Sequence, residues 1–248
     1  MSILAAHGLN KTFGALRVTR DVSLDVRAGE VHALIGPNGA GKSSLINQLA
    51  GTLAPDNGRV TLDGQDVTTL PPHRRARRGL ARTFQVSSLF AGFSALENVA
   101  LAVQARAHRP LWPFGRAARD EALNAPARVA LASVGLGGRG HVAVDALAYG
   151  ERRAVELACA LALHPRCLLL DEPLAGMGHE EAHRIVELLR GLKGRFAMLL
   201  VEHDMDAVFA LADRVSVLVQ GRIIASGPPD AVRADPAVQT AYLGDAAC

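Results

Sequence analysis

The sequence predicts an α/β fold, in which an antiparallel β arm precedes a mostly parallel sheet that a helical insertion interrupts. Three observations lead there. A short apolar run, Val31-His32-Ala33-Leu34-Ile35, enters a glycine-rich loop and then a stretch at helical spacing that Gly51 stops. Two further apolar runs, Cys167 to Asp171 and Ala197 to Val201, are short and unbroken, as in strands buried on both faces of a parallel sheet. Residues 86 to 150 differ: Leu96, Val99, Ala100 and Val103 recur at helical spacing, and the α/β pattern resumes afterwards. They read as an insertion into one domain of residues 1–248, whose core comprises 1–85 and about 151–248.

Residues 3 to 27 alternate apolar and polar stretches and read as antiparallel strands. Pro55-Asp56-Asn57-Gly58 is a turn before the strand Arg59 to Leu62, and Asp63-Gly64 turns out of it. Pro71 to Arg78 is a basic run that opens a short helix and reads chiefly as a solvated face, with phosphate or acidic lipid as the other possibility. Ala81-Arg82-Thr83-Phe84-Gln85 is the end of a strand. An irregular stretch, Arg109 to Gly115, holds the only Trp. A helix is expected from about Arg152 to Leu163, and another over Glu180 to Leu192 with Ile185, Leu188, Leu189 and Leu192 on one face. Met205 to Ala212 is a short helix, Val215 to Ala225 a hairpin about Gln220-Gly221, and the tail two short helices.

Composition narrows the function. The chain is 49% hydrophobic but only 4% aromatic, so its core is aliphatic, and its net charge of +3 does not call for nucleic acid. Cys159, Cys167 and Cys248 lack C-x-x-C spacing and read as reduced residues of a cytosolic chain. No apolar run approaches the ~20 residues that span a bilayer, and no signal peptide is evident, so any membrane role is expected to come through partners.

The chemistry starts at Gly36-Pro37-Asn38-Gly39-Ala40-Gly41-Lys42-Ser43, which fits G-x-x-x-x-G-K-[ST] between a strand and a helix. Glycines let the backbone approach phosphate oxygens, and the loop N–H groups and helix N-terminus then face the anion. Lys42 is expected to reach the β- and γ-phosphates, Ser43 to bind Mg²⁺, and Ser44 to complete the cradle. Asp171, at a strand's carboxyl end, is expected to hold Mg²⁺, and Glu172 to orient and deprotonate an attacking water. His203, ending the next apolar run, can bond a γ-phosphate, and Gln85 can complete the Mg²⁺ shell. Phe13 taken alone is an ordinary sheet residue.

Five segments together resemble the ATPase subunits of ABC transporters: the glycine loop, Arg82-Thr83-Phe84-Gln85, Leu147-Ala148-Tyr149-Gly150-Glu151, Leu169-Leu170-Asp171-Glu172-Pro173 and Glu202-His203-Asp204. The resemblance covers essentially the whole chain. It implies a RecA-like P-loop NTPase core with an antiparallel β subdomain and an inserted helical subdomain. It also implies two cassettes that sandwich two ATP molecules between the P-loop of one chain and the signature loop of the other, here Ala148, Tyr149, Gly150 and Glu151. Phe13 then becomes the adenine-stacking residue, Gln85 and His203 switch residues and Glu172 the catalytic base, while Val86 to Ala100 meets the membrane subunit.

The Leu89-Phe90 pair, Val201 to Met205, the ending Ala241-Tyr242-Leu243-Gly244 and the insertion around Arg109 to Arg119 resemble subunits of branched-chain amino-acid importers. This implies two transmembrane permeases, a second ATPase chain, an extracytoplasmic solute-binding protein, no direct nucleic acid, and a peripheral place on the cytoplasmic face of the inner membrane. A lipid-export motor and a soluble non-transport ABC ATPase remain as alternatives; the latter usually carries two cassettes or a long coiled coil. A GTPase would need N-K-x-D downstream of the loop, and Asn10-Lys11 lies upstream without the Asp. Two segments depart from the wider pattern. Ala148 and Tyr149 stand where Ser and Gly are usual, which removes a hydroxyl from the signature, and Gly178 stands where Asp is usual.

Overall fold

The computed structural model describes residues 1–83, 89–106 and 120–243. Strands β1 (Ser2–Phe13) and β2 (Leu16–Arg27) pair antiparallel. Strand β3 (Val31–Ile35) leads into helix α1 (Lys42–Ala50), and β4 (Asn57–Leu62) and β5 (Gln65–Asp66) return to the arm, giving the order β2-β1-β4-β5. Helix α2 (Pro72–Arg77) and β6 (Leu80–Thr83) precede helices α3 (Ala95–Arg106), α4 (Glu121–Ser133) and α5 (Tyr149–Ala162). The α/β alternation then resumes through β7 (Cys167–Asp171), α6 (His179–Leu192), β8 (Ala197–Val201) and α7 (Met205–Leu211). A hairpin of β9 (Arg214–Val219) and β10 (Arg222–Gly227) is followed by α8 (Pro229–Arg233) and α9 (Pro236–Leu243). The insertion around Arg109 to Arg119, with its Trp, lies outside the described residues.

The second sheet runs β10-β9-β3-β8-β7-β6, and every pairing in it except β9 with β10 is parallel. Register places Val201 opposite both Leu34 and Asp171, so β3, β8 and β7 bring their carboxyl ends to one edge. All five residues of each of β3, β7 and β8 are buried, which explains their unbroken apolar sequence. Alternate side chains divide between two faces. Leu168, Leu170 and Leu200 pack with α3 to α6, whereas Leu34, Leu169, Leu199 and Leu218 pack with α1 and the β arm. Each leucine so buried contributes about 1.5–3 kcal/mol.

The basic run expected to be a solvated face divides. Arg74, Arg77 and Arg78 are exposed, but Arg75 is only 1% exposed. Its guanidinium donates to Gln48 O at 2.7 Å, Leu49 O at 2.6 Å, Thr68 O at 2.7 Å and Leu70 O at 2.9 Å. It therefore satisfies carbonyls at the end of α1, where positive charge also suits the helix dipole. Burial pushes its pKa down to about 10, which leaves it charged at neutral pH. Arg75 is a clamp on the helix that carries the glycine loop.

His32, on β3, is 1% exposed, with Nδ1 2.7 Å from Asp25 O and Nε2 2.8 Å from Ser216 Oγ. A carbonyl only accepts, so Nδ1 carries the proton and Nε2 accepts from the Ser216 hydroxyl. Burial pushes the imidazole below its ordinary value. A base with a depressed folded-state pKa contributes stability above the unfolded value of about 6.5, and that contribution is lost as pH falls. The thermal midpoint of the wild type is expected to drop more between about pH 7.5 and 5.5 than that of His32→Gln. Parallel pH profiles would show that His32 is not a source of acid sensitivity.

Candidate functional site

The glycine loop sits where three segments converge. A Cβ at Gly36 would lie 2.0 Å from Leu218 O of β9, and one at Gly41 (φ 106°) 2.2 Å from Val18 O of β2. No other residue fits either place, so the backbone can follow a path that leaves its N–H groups unobstructed. Gly221, at the β9–β10 turn, donates to Ala40 O at 2.8 Å and accepts from Arg20 N–H at 2.7 Å. Gly41 caps α1 in the left-handed conformation without a side-chain cap, so the first N–H groups of the helix are offered to the loop. Asn38, Gly39 and Ser43 are exposed, Pro37 and Ser44 half-buried and Ala40 buried.

Lys42 is 6% exposed, and its ammonium donates to Gly36 O at 2.6 Å and Pro37 O at 2.9 Å. Burial pushes its pKa below the ordinary value, and the charge of Glu172 opposes that shift. Glu172, at the end of β7, is therefore near enough for its charge to act on the loop lysine. Asp171 is 5% exposed and accepts from Arg82 Nη2 at 2.8 Å, while Arg82 Nη1 donates to Asn47 Oδ1 of α1 at 2.7 Å.

Glu172 follows with φ 48°, a left-handed conformation that costs a non-glycine residue about 1–3 kcal/mol and persists only where its surroundings fix it. Its N–H donates to Val201 O at 2.9 Å, its carbonyl accepts from Ala175 N–H at 3.1 Å, and its Oε1 lies 2.8 Å from His203 Nε2. Beside it, buried Glu202 accepts from Leu174 N–H at 2.8 Å and His203 N–H at 2.9 Å. Burial raises the Glu202 pKa, against which these N–H bonds act.

The signature segment begins α5. The helix starts at Tyr149, three residues earlier than the apolar spacing indicated, because Ala148 N–H donates to Glu151 Oε2 at 3.0 Å and so caps the first turn. Ala148 is exposed; Gly150 N–H points to Glu181 Oε1 at 3.4 Å, and Glu151 also pairs with Arg139 at 3.2 Å. Tyr149 turns its hydroxyl onto Ala175 O at 3.1 Å, in its own chain. Phe13 ends β1 with its ring 51% exposed and Lys11 Nζ 5.6 Å from the ring centroid. Gln85 lies outside the described residues.

Three contributors had not been assigned a task from sequence: Arg82, Glu202 and the Gln220-Gly221 turn. A charged residue inside the short β6 and an acid ahead of His203 were visible signals. Arg82 meets Asp171 because β6 lies beside β7, and Glu202 meets Leu174 because β8 lies beside β7, a strand order that sequence alone does not specify.

The fold and this edge define a P-loop nucleotide-binding α/β protein. Residues 19–175 match the ABC transporter family model, and the chain belongs to that family. Residues 222–248 match the model of the branched-chain amino acid ATP-binding cassette transporter. The chain is 38% identical over 252 residues, 98% of each chain, to the high-affinity branched-chain amino acid transport ATP-binding protein LivG of Salmonella typhimurium. It is also 38% identical, over 98% of this chain and 97% of the relative, to the lipopolysaccharide export system ATP-binding protein LptB of Acidithiobacillus ferridurans. A nucleotide-free ATP-binding cassette from an ABC transporter superposes with a TM-score of 0.86 at 30% identity, covering 98% of this chain and 99% of that one. The protein is thus an ATP-binding and hydrolysing subunit of an ABC transporter, a class that dimerises and works with transmembrane permeases. Among the described residues no helix is long and apolar enough to cross a membrane.

Proposed function

We propose that the chain powers an importer of branched-chain amino acids or related small polar solutes. The observation that carries this reading is the match of residues 222–248 to the branched-chain model, joined to full-length similarity to LivG. In this reading the cassette sits peripherally on the cytoplasmic face of the inner membrane, with two permeases, a second cassette and a solute-binding protein outside. Lipid export is the second reading, favoured by the similarity to LptB. The test is capture of the chain from detergent-solubilised native membranes and identification of its companions. Two permeases with a solute-binding protein support import; lipid-export components, ribosomes or DNA-bound proteins contradict it.

In the proposed mechanism the loop N–H groups, the start of α1 and Lys42 hold the β- and γ-phosphates, and the exposed ring of Phe13 stacks on adenine. Lys42 would exchange its bonds to Gly36 O and Pro37 O for phosphate oxygens. The hydroxyl of Ser43 and the carboxylate of Asp171 are hard oxygen donors, which suits Mg²⁺ completed by water and phosphate. With Gln85 they would hold that ion, which neutralises charge on the phosphates. Arg82 holds the Asp171 carboxylate in place by donating to Oδ2.

Glu172 orients the attacking water and takes its proton. His203 Nε2 donates to the Glu172 carboxylate, and the imidazole would bond the γ-phosphate once ATP is bound. Ala148, Tyr149, Gly150 and Glu151 would face the ATP held by the second cassette, where Ala148 brings no hydroxyl. Ala148→Ser is expected to strengthen ATP-driven dimerisation in hydrolysis-deficient protein, read as a shift toward dimer in sedimentation. No shift would remove Ala148 as a cause of weak closure.

A further inference from the structure

The turn that carries Glu172 is held by hydrogen bonds from β8, from Glu202 and within itself. Val201 O accepts from Glu172 N–H at 2.9 Å, Glu202 accepts from Leu174 N–H at 2.8 Å, and Ala175 N–H closes the turn on Glu172 O at 3.1 Å. A further anchor comes from α5. The Tyr149 hydroxyl lies 3.1 Å from Ala175 O and 2.9 Å from Arg153 Nη2. A guanidinium only donates, so the hydroxyl must turn its proton to the Ala175 carbonyl. The direction of that bond is therefore fixed. Arg153 is itself fixed: it is 9% exposed, its Nη1 donates to buried Glu156 at 2.9 Å, and its guanidinium lies 5.3 Å from the Tyr149 ring centroid.

We infer that Tyr149 is a positioning residue, whose hydroxyl holds the Glu172–Ala175 turn and with it the left-handed backbone that aims the Glu172 carboxylate. The inference rests on the reading of Glu172 as the base. It gives the large side chain at this signature position a task within its own chain, separate from any contact with a partner's nucleotide. A displacement at the start of α5 reaches Glu172 through two hydrogen bonds, Tyr149 to Ala175 and Ala175 to Glu172. The loop from Ala175 to Gly178 is thereby tied to α5 even though Gly178 has no side chain with which to anchor it.

Tyr149→Phe removes the hydroxyl and keeps the ring over Arg153. The expected result is a fall in kcat for ATP hydrolysis of roughly three- to tenfold, the worth of one hydrogen bond, with KM for ATP within about twofold of wild type. In a Glu172→Gln background the same substitution should add no further loss to the residual rate, because the group it positions is gone. A simple packing role would still show its loss there. Wild-type kcat in Tyr149→Phe, a raised KM at constant kcat, or an equal further loss in the Glu172→Gln background would each overturn the inference. If Glu172→Gln is inactive and Tyr149→Phe is normal, only the inference fails. If Glu172→Gln hydrolyses ATP at the wild-type rate, the base assignment fails and takes the inference with it.

Discussion

Glu172→Gln is expected to slow ATP hydrolysis by roughly 10²–10⁴-fold, the usual worth of a positioned general base, while ATP binding stays intact. The amide keeps the size of the side chain and can still accept from His203 Nε2, which lies 2.8 Å from Oε1. It cannot take a proton from water. The left-handed backbone at Glu172 (φ 48°) is held by Val201, Ala175 and, beyond them, Glu202, and none of these bonds involves the Glu172 side chain. The variant should therefore fold as the wild type does and lose one chemical step. Phosphate release under saturating ATP, alongside nucleotide titration of the same preparation, separates the two. Hydrolysis near the wild-type rate would mean that another group activates the water.

Lys42→Ala is expected to fail at the earlier step. Its ammonium is the cation the loop buries, and truncating one partner of a buried charge pair costs about 2–5 kcal/mol, at least roughly 30-fold in Kd. The substitution also strips Gly36 O and Pro37 O of the donor they share, so the loop loses an internal tie as well as its proposed phosphate ligand. Calorimetric titration with ATP should show the loss. Unchanged affinity would contradict the assignment of this loop to the triphosphate.

Much of the scaffold was legible because local rules and tertiary rules agreed. The apolar runs at Val31 to Ile35, Cys167 to Asp171 and Ala197 to Val201 are buried on both faces, and the glycine at 51 ends α1 in the left-handed conformation. The glycines at 36 and 41 were legible as places that need a bare backbone, and the structure adds what crowds them, Leu218 O and Val18 O. Arg75 was not legible. Four arginines in a six-residue helix and its flank look solvated, and only the packing of α2 on the end of α1 turns one of them inward. Arg82 and Glu202 were hidden for a similar reason. Each acts across the sheet on a neighbour, Asp171 or Leu174, that is remote in sequence. The bond from Tyr149 to Ala175 joins residues 26 apart, and local sequence carries no trace of it.

In the proposed mechanism ATP lies along residues 36–44 at the carboxyl edge of the parallel sheet, with its γ-phosphate toward Glu172. A crystal structure of Glu172→Gln with ATP and Mg²⁺ tests it most directly. The triphosphate is expected within hydrogen-bond reach of Lys42 and the loop N–H groups, the ion between Ser43 and Asp171, and adenine against Phe13. A triphosphate bound elsewhere, for example in the cleft lined by Arg77, Arg78 and Arg166, would contradict it.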